Sequence, residues 1–466
     1  MTIQTDIAIL GGGPGGYVAA LHAAKLGARV ALIEQDRIGG VCLNVGCIPT
    51  KALLRSAEVY RTLQHAGSFG LRLDGTIAPD WPAIQERKAG IVAQLVGGVE
   101  KLLSRAGVRV IHGWGRFASP HALAVDTAEG SLSVEATRGV IVATGSRPIR
   151  LPLLGIDLPG VVDSTGALGL ADLPQRLLIV GGGVVGVELA EIFTAFGVQV
   201  TVVEMLDRLL PQMDADLGAG LAWTFGQRGV RVHLNSRLEH VDSGPGGLLA
   251  AITAPGGPLT VEADRILIAV GRRPNVENLG LDLAGVRVER TGIPVNGQTE
   301  TNIPGLYAVG DVTGVAPLAH VAMQGGEVAV ENALGRPAKL DLKTVPWLVY
   351  TDPEVAGVGL TEAQAREAGY DVLTGRFPLN ANGKALTYGE TAGFVKVVSE
   401  VRYGEVLGLH LIAPHASDLI HEGGLALTLE ATLDELINTL HGHPTLGEAI
   451  REAALECRGG ALHLPH

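Results

Sequence analysis

Short apolar runs alternate with Ala- and Gly-rich stretches along the first part of the chain, at spacings that predict strand and helix in turn. Residues 6–10 (DIAIL) read as a strand, Tyr17 to Leu26 as a helix, and RVALIE at 29–34 as a second strand. The same alternation returns in LLIV at 177–180, a helix running to Phe196, and VQVTVVE at 198–204. Between these blocks, Trp81 to Ala106 reads as helical, and VRVIHGWGRF at 108–117 and ALAVDT at 122–127 read as strands. VIVATGSRP at 140–148 and ILIAVGRRPN at 266–275 each end a strand in a small-residue turn and bracket the second block. TNIPGLYAVGDV at 301–312 predicts a strand that ends at Gly310-Asp311, and a helix follows over 319–334. From about Lys343 the character changes to short strands (GFVKVV at 393–398, EVLGLHLI at 405–412) and two helices, 417–429 and 445–456. The pattern is α/β for most of the chain, with an α+β region at the end.

Each block carries a glycine signature between its first strand and its helix: Gly11-x-Gly13-x-x-Gly16 and Gly181-x-Gly183-x-x-Gly186. An acidic residue closes each second strand, Glu34 and Glu204, 23 residues after the first glycine in both copies. Strand, Gly turn, helix, strand and acid form the dinucleotide-binding unit. Missing side chains let the backbone approach a pyrophosphate, and the helix N-terminus supplies N–H donors and partial positive charge. Each glutamate is placed to accept hydrogen bonds from a ribose hydroxyl. A carboxylate there repels a 2′-phosphate, so the second site should prefer NAD over NADP. Arg208, four residues past Glu204, reads as a solvated surface charge.

Composition narrows the partners. Gly makes 65 of 466 residues, twice the usual share of roughly 7%, while 47% hydrophobic and 18% charged content excludes a disordered chain. A net charge of −12 repels nucleic acid and anionic membrane surfaces. No stretch approaches twenty uninterrupted apolar residues, and strand character within five residues of Met1 leaves no room for a targeting peptide, so a cytoplasmic protein is expected. Three cysteines form no disulfide scaffold. The close pair Cys42 and Cys47 reads as reactive or metal-binding, and Cys457 as a spare thiol.

That pair lies in GGVCLNVGCIPTKALL at 39–54, where Pro49 marks the first turn of a helix. On an ideal helix, positions five apart point about 140° away from each other. Joining the two sulfurs therefore needs an irregular turn, which Asn44 and Gly46 permit. Cys47 then sits where a helix dipole favours thiolate. Two buried structural cysteines are the alternative. A metal site lacks a second Cys/His pair close in sequence.

These segments together resemble the two-cysteine flavoprotein disulfide reductases, most closely their dihydrolipoamide-oxidising members. The likeness covers essentially the whole length, through the two fingerprints, the redox segment, the ATG turn at 143–145 with Thr144 and Gly145, AVGRRPN at 269–275 with Gly271, AVGD at 308–311 with LAHVA at 318–322, YTDPEVAGVGLTE at 350–362, and HGHPTLGEAIREAALE at 441–456. The resemblance implies FAD at the first fingerprint and NAD at the second, with two Rossmann-like domains and a C-terminal α+β dimerisation domain. It implies domains at 1–148 (FAD, first part), 149–270 (NAD), 271–342 (FAD, return segment) and 343–466 (interface). Cys42 is then the interchange thiol and Cys47 the thiol beside the flavin. His443 is the acid/base, oriented by Glu448, while His441 lacks a comparable partner in sequence and reads as structural. Lys51 pairs with Glu188 near the flavin ring, with an ordinary ion pair as the alternative. Gly310 and Asp311 serve the ribityl chain, and the helix from Ala319 points its N-terminus at the pyrimidine edge.

Departures from the family pattern are Val41 for Thr, Thr50 for Ser and Gly442 for Ala, and none removes a reacting group. The terminal cysteine pair of mercuric reductases is missing, and a soluble transhydrogenase needs no redox cysteines. The resemblance implies a homodimer in which one subunit completes the other's active site. It also implies a substrate arriving on another chain, either a lipoyl-bearing acyltransferase or the glycine cleavage H protein. A related NAD(P)H-driven reductase of another disulfide or of a metal ion is the second reading. A non-catalytic docking subunit is the third, although Cys42, Cys47 and His443 are all present.

Overall fold

A computed structural model describes residues 2–465, which fold as two compact units. The first comprises residues up to 52, 82–149 and 271–341; the second comprises 53–81, 150–270 and 342 onward.

In the first unit a parallel sheet runs in the order Arg109–His112, Val30–Glu34, Thr2–Leu10, Gly130–Val142, with Leu306–Ala308 parallel to the last turns of Gly130–Val142. Alternate side chains of one strand enter opposite cores. Ile7 and Ile9 pack with Leu32 and Ala19 on one face, and Ala8 and Leu10 pack with Ile33 and Val140 on the other. A parallel strand covered on both faces accordingly reads as a continuous apolar run. The first half of Gly130–Val142 continues into an antiparallel meander with Trp114–Ser119 and Ala122–Thr127. Ser146–Pro148 and Arg272–Pro274 pair as a short antiparallel ribbon.

The second unit repeats this plan. Arg231–His233, Gln199–Val203, Arg176–Val180, Arg265–Ile268 and Val161–Val162 form a parallel sheet in that order, beside a three-stranded meander over Arg237–Ala263. A second sheet of this unit is antiparallel, in the order Trp347–Val349, Glu354–Gly359, Val406–Ala413, Phe394–Glu400, Val372–Pro378, and the helices Ala416–Thr428 and Glu448–Cys457 pack on it.

Three details differ from the sequence reading. The strand expected to end at Gly310-Asp311 stops at Ala308, and Gly310–Thr313 forms a 3-10 turn. The last helix begins at Glu448 rather than 445, because the Glu448 side chain reaches back to the Thr445 N–H and holds the preceding turn out of the helix. Strands Trp347–Val349, Glu354–Gly359 and Val372–Pro378 and the helix Leu433–Asn438 join the elements read from the pattern. Among the described residues no helix is long and apolar enough to cross a membrane.

Candidate functional site

The first fingerprint is shaped by its glycines. A side chain on Gly16 would place its Cβ 1.8 Å from the carbonyl oxygen of Gly11, so the helix Pro14–Lys25 can start this close to the strand only without one. At Gly13 a Cβ would meet only Gly40 Cα, at 3.9 Å in ordinary contact, so nothing crowds the backbone there. Gly13 caps the helix with no side-chain acceptor, which leaves first-turn N–H groups available to an anion. The buried Glu34 carboxylate accepts from Gly12 N at 2.6 Å and Asp36 N at 2.8 Å. A carboxylate offers about four acceptor positions, so capacity remains for a ribose hydroxyl.

The second fingerprint matches it. Gly186 would meet Gly181 O at 2.0 Å, Gly183 has nothing within 4 Å, and the helix Val184–Ala195 again lacks a side-chain cap. Glu204 accepts from Gly182 N at 2.6 Å and Leu206 N at 2.8 Å. Arg208 is a surface charge, its side chain 43% exposed, with Nε 3.5 Å from Asp207 Oδ1 but outside hydrogen-bond geometry. Glu188, on the same helix as the fingerprint, is 3% exposed and accepts from Tyr350 N at 3.0 Å.

The redox segment is tied to the first fingerprint. Gly39 N donates to Gly12 O at 2.8 Å, and a Cβ on Gly40 would lie 2.7 Å from Gly13 Cα. Gly39 and Gly40 take φ of 94° and 54°, the left-handed region that glycine enters without strain. The short helix Gly40–Val45 carries Cys42, breaks at Gly46, and the helix Cys47–Gln64 starts at once. The break is the irregular turn the spacing demands. Asn44 Nδ2 braces it through Ile38 O and Gly40 O, and its buried Oδ1 has no donor among the described residues.

Cys42 is half-buried and Cys47 exposed. A hydrogen bond with the Cys47 thiol, then burial, pushes the Cys42 thiol well above its usual range, while the Lys51 ammonium draws it down and Asp311 opposes Lys51. The pair is therefore a close dithiol, with Lys51 the nearby cation that favours deprotonation. Tyr17 also feels the charge of Cys42. Asp311 stands in a network that motif reading passes over. Arg272 donates to Ser146 Oγ and Ser146 O at 2.7 Å each, Ser146 Oγ donates to the Asp311 carboxylate, and Arg272 lies 3.8 Å from Asp311. Thr144 and Asn275 lock the two crossover segments through reciprocal bonds of 2.8 and 3.0 Å, with Gly145 O accepting from Asn275 N and Gly271 O from Ile149 N. The helix Ala319–Ala333 also has an uncapped N-terminus.

In the second unit His443 is 80% exposed and its Nδ1 lies 2.8 Å from Glu448 Oε1, while Glu448 Oε2 accepts from Thr445 N at 2.8 Å. Burial raises the affinity of Glu448 for a proton, but the Thr445 N–H and His443 outweigh it and hold the carboxyl below its usual range. His441 has a partner after all, Glu422 Oε1 at 3.0 Å, 19 residues away in sequence. Cys457 is buried, bonded to Val397 O, and burial pushes its thiol up to about 12. No group of three or more metal-ligating side chains occurs among the described residues.

Residues 5–326 match the model of the pyridine nucleotide-disulphide oxidoreductase family, and residues 345–454 match that family's dimerisation domain. The chain is 42% identical to a dihydrolipoyl dehydrogenase of Bacillus subtilis, over 99% of this chain and all of the relative. It is 42% identical to a dihydrolipoyl dehydrogenase of Halobacterium salinarum, over 98% and 97% of the two chains. The crystal structure of LpdA from Mycobacterium tuberculosis superposes with a TM-score of 0.89 at 34% identity, covering 97% of this chain and 99% of that one. The chain belongs to the pyridine nucleotide-disulphide oxidoreductase family, as a homodimer-forming flavoenzyme that uses FAD and NAD.

Proposed function

We propose that the chain is a dihydrolipoyl dehydrogenase whose reacting groups are Cys42, Cys47 and His443, serving a lipoyl group carried on an acyltransferase or on the glycine cleavage H protein. The observation that carries this reading is the Cys42–Cys47 dithiol, hydrogen-bonded within itself at a helix start and braced against the first fingerprint. The open Gly13 and Gly183 turns, the three uncapped helix starts and the donorless Asn44 Oδ1 fit a flavin and a nicotinamide dinucleotide. Gly11, Gly13, Gly16, Glu34, Thr144, Gly145, Gly310, Asp311 and Ala319 would hold FAD, and Gly181, Gly183, Gly186, Glu188, Glu204 and Gly271 would hold NAD. When bound, FAD accepts the electron pair released by the dithiol and yields it as hydride to NAD.

His443 Nε2 takes a proton from one substrate thiol, and Glu448 stabilises the imidazolium through Nδ1. The substrate thiolate attacks the sulfur of Cys42 in the Cys42–Cys47 disulfide, forming a mixed disulfide and releasing Cys47 as thiolate. The second substrate thiol then displaces Cys42, to which its proton passes, so the lipoyl disulfide forms and both enzyme sulfurs are reduced. Lys51 holds positive charge beside these sulfurs. In this reading the dyad of one protomer serves the cysteines of its partner, and the FAD (1–148, 271–342), NAD (149–270) and interface (343–466) domains keep separate tasks. A pair that cycles between dithiol and disulfide suits a reducing, cytoplasmic setting. Steady-state turnover with dihydrolipoamide and NAD tests the reading. Faster turnover with NADPH and another disulfide would overturn it.

A further inference from the structure

The chain does not end with the helix that presents Glu448. It reverses after Arg458 through Gly459, at φ 102°, and residues 461–464 run back along the helix Glu448–Cys457. Ala461 N donates to Glu456 Oε2 at 2.8 Å. His463 then clasps Glu452 twice, its N–H on Oε2 at 3.1 Å and its Nδ1 on Oε1 at 3.0 Å. Ala461 is fully buried, and Leu464 packs on the core of the C-terminal sheet. The tail is thus held by backbone, side chain and apolar contact together.

Glu452 lies four residues after Glu448, so the two carboxylates project from one face of the helix, one turn apart. Each takes a histidine, His443 on Glu448 and His463 on Glu452. The Glu452 side chain is 6% exposed, whereas that of His463 is 71% exposed. A carboxylate so far buried needs its charge answered. His463 Nδ1 is its nearest partner at 3.0 Å, and Arg451 stands farther off at 3.8 Å with its Nε committed to Ile437 O. The packed strands and helix engage their charged groups elsewhere: Arg376 over Phe394, Lys396 on Asp214, and Asp434 on Arg458. His441 is held by Glu422. The field of His463 also reaches Glu448 and favours its ionised form.

We propose that His463 and Glu452 form a second His–Glu pair that positions the helix start under His443 and sets the charge felt by the catalytic dyad. The proposal rests on His443 being the base. His463 is a positioning residue, since it acts on the reacting imidazole through Glu452 and Glu448. Its positive charge, when present, opposes proton uptake by His443, and the charge of Glu452 favours it. A unit charge at roughly 8 Å across a wet surface shifts a titration by about half a pH unit.

The test is the pH profile of kcat/KM for dihydrolipoamide with NAD, on the FAD-loaded dimer. His463→Gln should move the acidic limb up by about half a unit, Glu452→Gln should move it down by a similar amount, and the double variant should return close to the parent. Because His463 is exposed, His463→Gln should fold, which keeps the proposal open to refutation even if Glu452→Gln does not. Unmoved limbs, or shifts of the same sign in folded variants, overturn it. His443→Gln, measured alongside, fails separately: near-normal turnover there removes the base itself rather than its tuning.

Discussion

Replacing Glu448 by Gln changes one atom and should cost more than replacing it by Ala. The carboxylate accepts twice, from Thr445 N at 2.8 Å and from His443 Nδ1 at 2.8 Å, so His443 keeps its lone pair on Nε2, where a base needs it. A glutamine has one acceptor oxygen and one NH2 group. With the oxygen on His443, its NH2 group faces the Thr445 N–H, donor against donor, at about 1–3 kcal/mol for an unmade bond. With the oxygen on Thr445, its NH2 group donates to Nδ1 and moves the imidazole proton to Nε2, the tautomer that cannot act as base. The productive tautomer then falls by about 10–100-fold, and the charge-assisted bond to the imidazolium, about 1.5–3 kcal/mol, is lost as well. Glu448→Gln should therefore lower kcat/KM for dihydrolipoamide by about 10²–10³-fold. In Glu448→Ala the imidazole, already 80% exposed, meets water at Nδ1 and chooses its tautomer freely, so the loss should be about tenfold. Steady-state kinetics on the two FAD-loaded variants compares them, and nitrogen NMR of His443 reads the tautomer. An Ala variant as slow as the Gln variant, or a Gln variant with its proton on Nδ1, refutes the reasoning.

The remaining predictions concern charge, specificity and the third thiol. Lys396 is 5% exposed and its Nζ lies 3.1, 2.7 and 2.9 Å from Asp214, Asp216 and Glu362. Lys396→Met should destabilise by about 3–5 kcal/mol, read as a lower unfolding midpoint, because it leaves the buried Asp214 carboxylate without its cation. Burial alone would raise Asp214, but His410 and Lys396 outweigh it and hold it low, and Lys396 and Arg366 hold Glu362 low. The stability these carboxylates contribute is present above their unfolded values near 4 and is lost as pH falls through the depressed folded values, so acid should unfold the parent with a steeper loss than the variant. Glu204→Gln should weaken NAD and narrow its preference over NADP, measured as the ratio of kcat/KM values; an unchanged ratio removes Glu204 as the selector. Alkylation of the reduced native protein at mildly alkaline pH should modify the exposed Cys47 and spare Cys457, whose thiol is pushed up to about 12 by burial; mass spectrometry locates the labels.

Much of this fold is legible because it is local. Gly16 and Gly186 each stand where a side chain would strike backbone five residues earlier, at Gly11 and Gly181, and Glu34 and Glu204 each close a strand next to the turn they serve. The Cys42–Cys47 spacing demands a helix break, and the break falls at Gly46. Apolar runs buried on both faces announce parallel strands without their order, which depends on crossovers that periodicity does not record. The ion cluster around Lys396 joins residues 182 and 180 positions apart, and the Ser146–Arg272–Asp311 network spans 126 and 165 positions. No window of sequence contains them. Their chemistry becomes visible only when strands from separate segments lie side by side.

The dyad shows where local and distant information meet. His443, Thr445 and Glu448 lie within six residues, so the pairing of base and orienter can be read directly, and Glu448 itself fixes where the helix begins. What sets the charge around that pairing comes from farther along the chain. Glu452 is on the same helix face, and the histidine bonded to it is 11 residues on, after a reversal at Gly459 that no helical periodicity foretells. The base can be named from a motif, while the pH at which it works depends on a tail that carries no motif at all. Exchange of the tail alone, with the motif left untouched, should therefore move the acidic limb of the pH profile while leaving the chemistry in place.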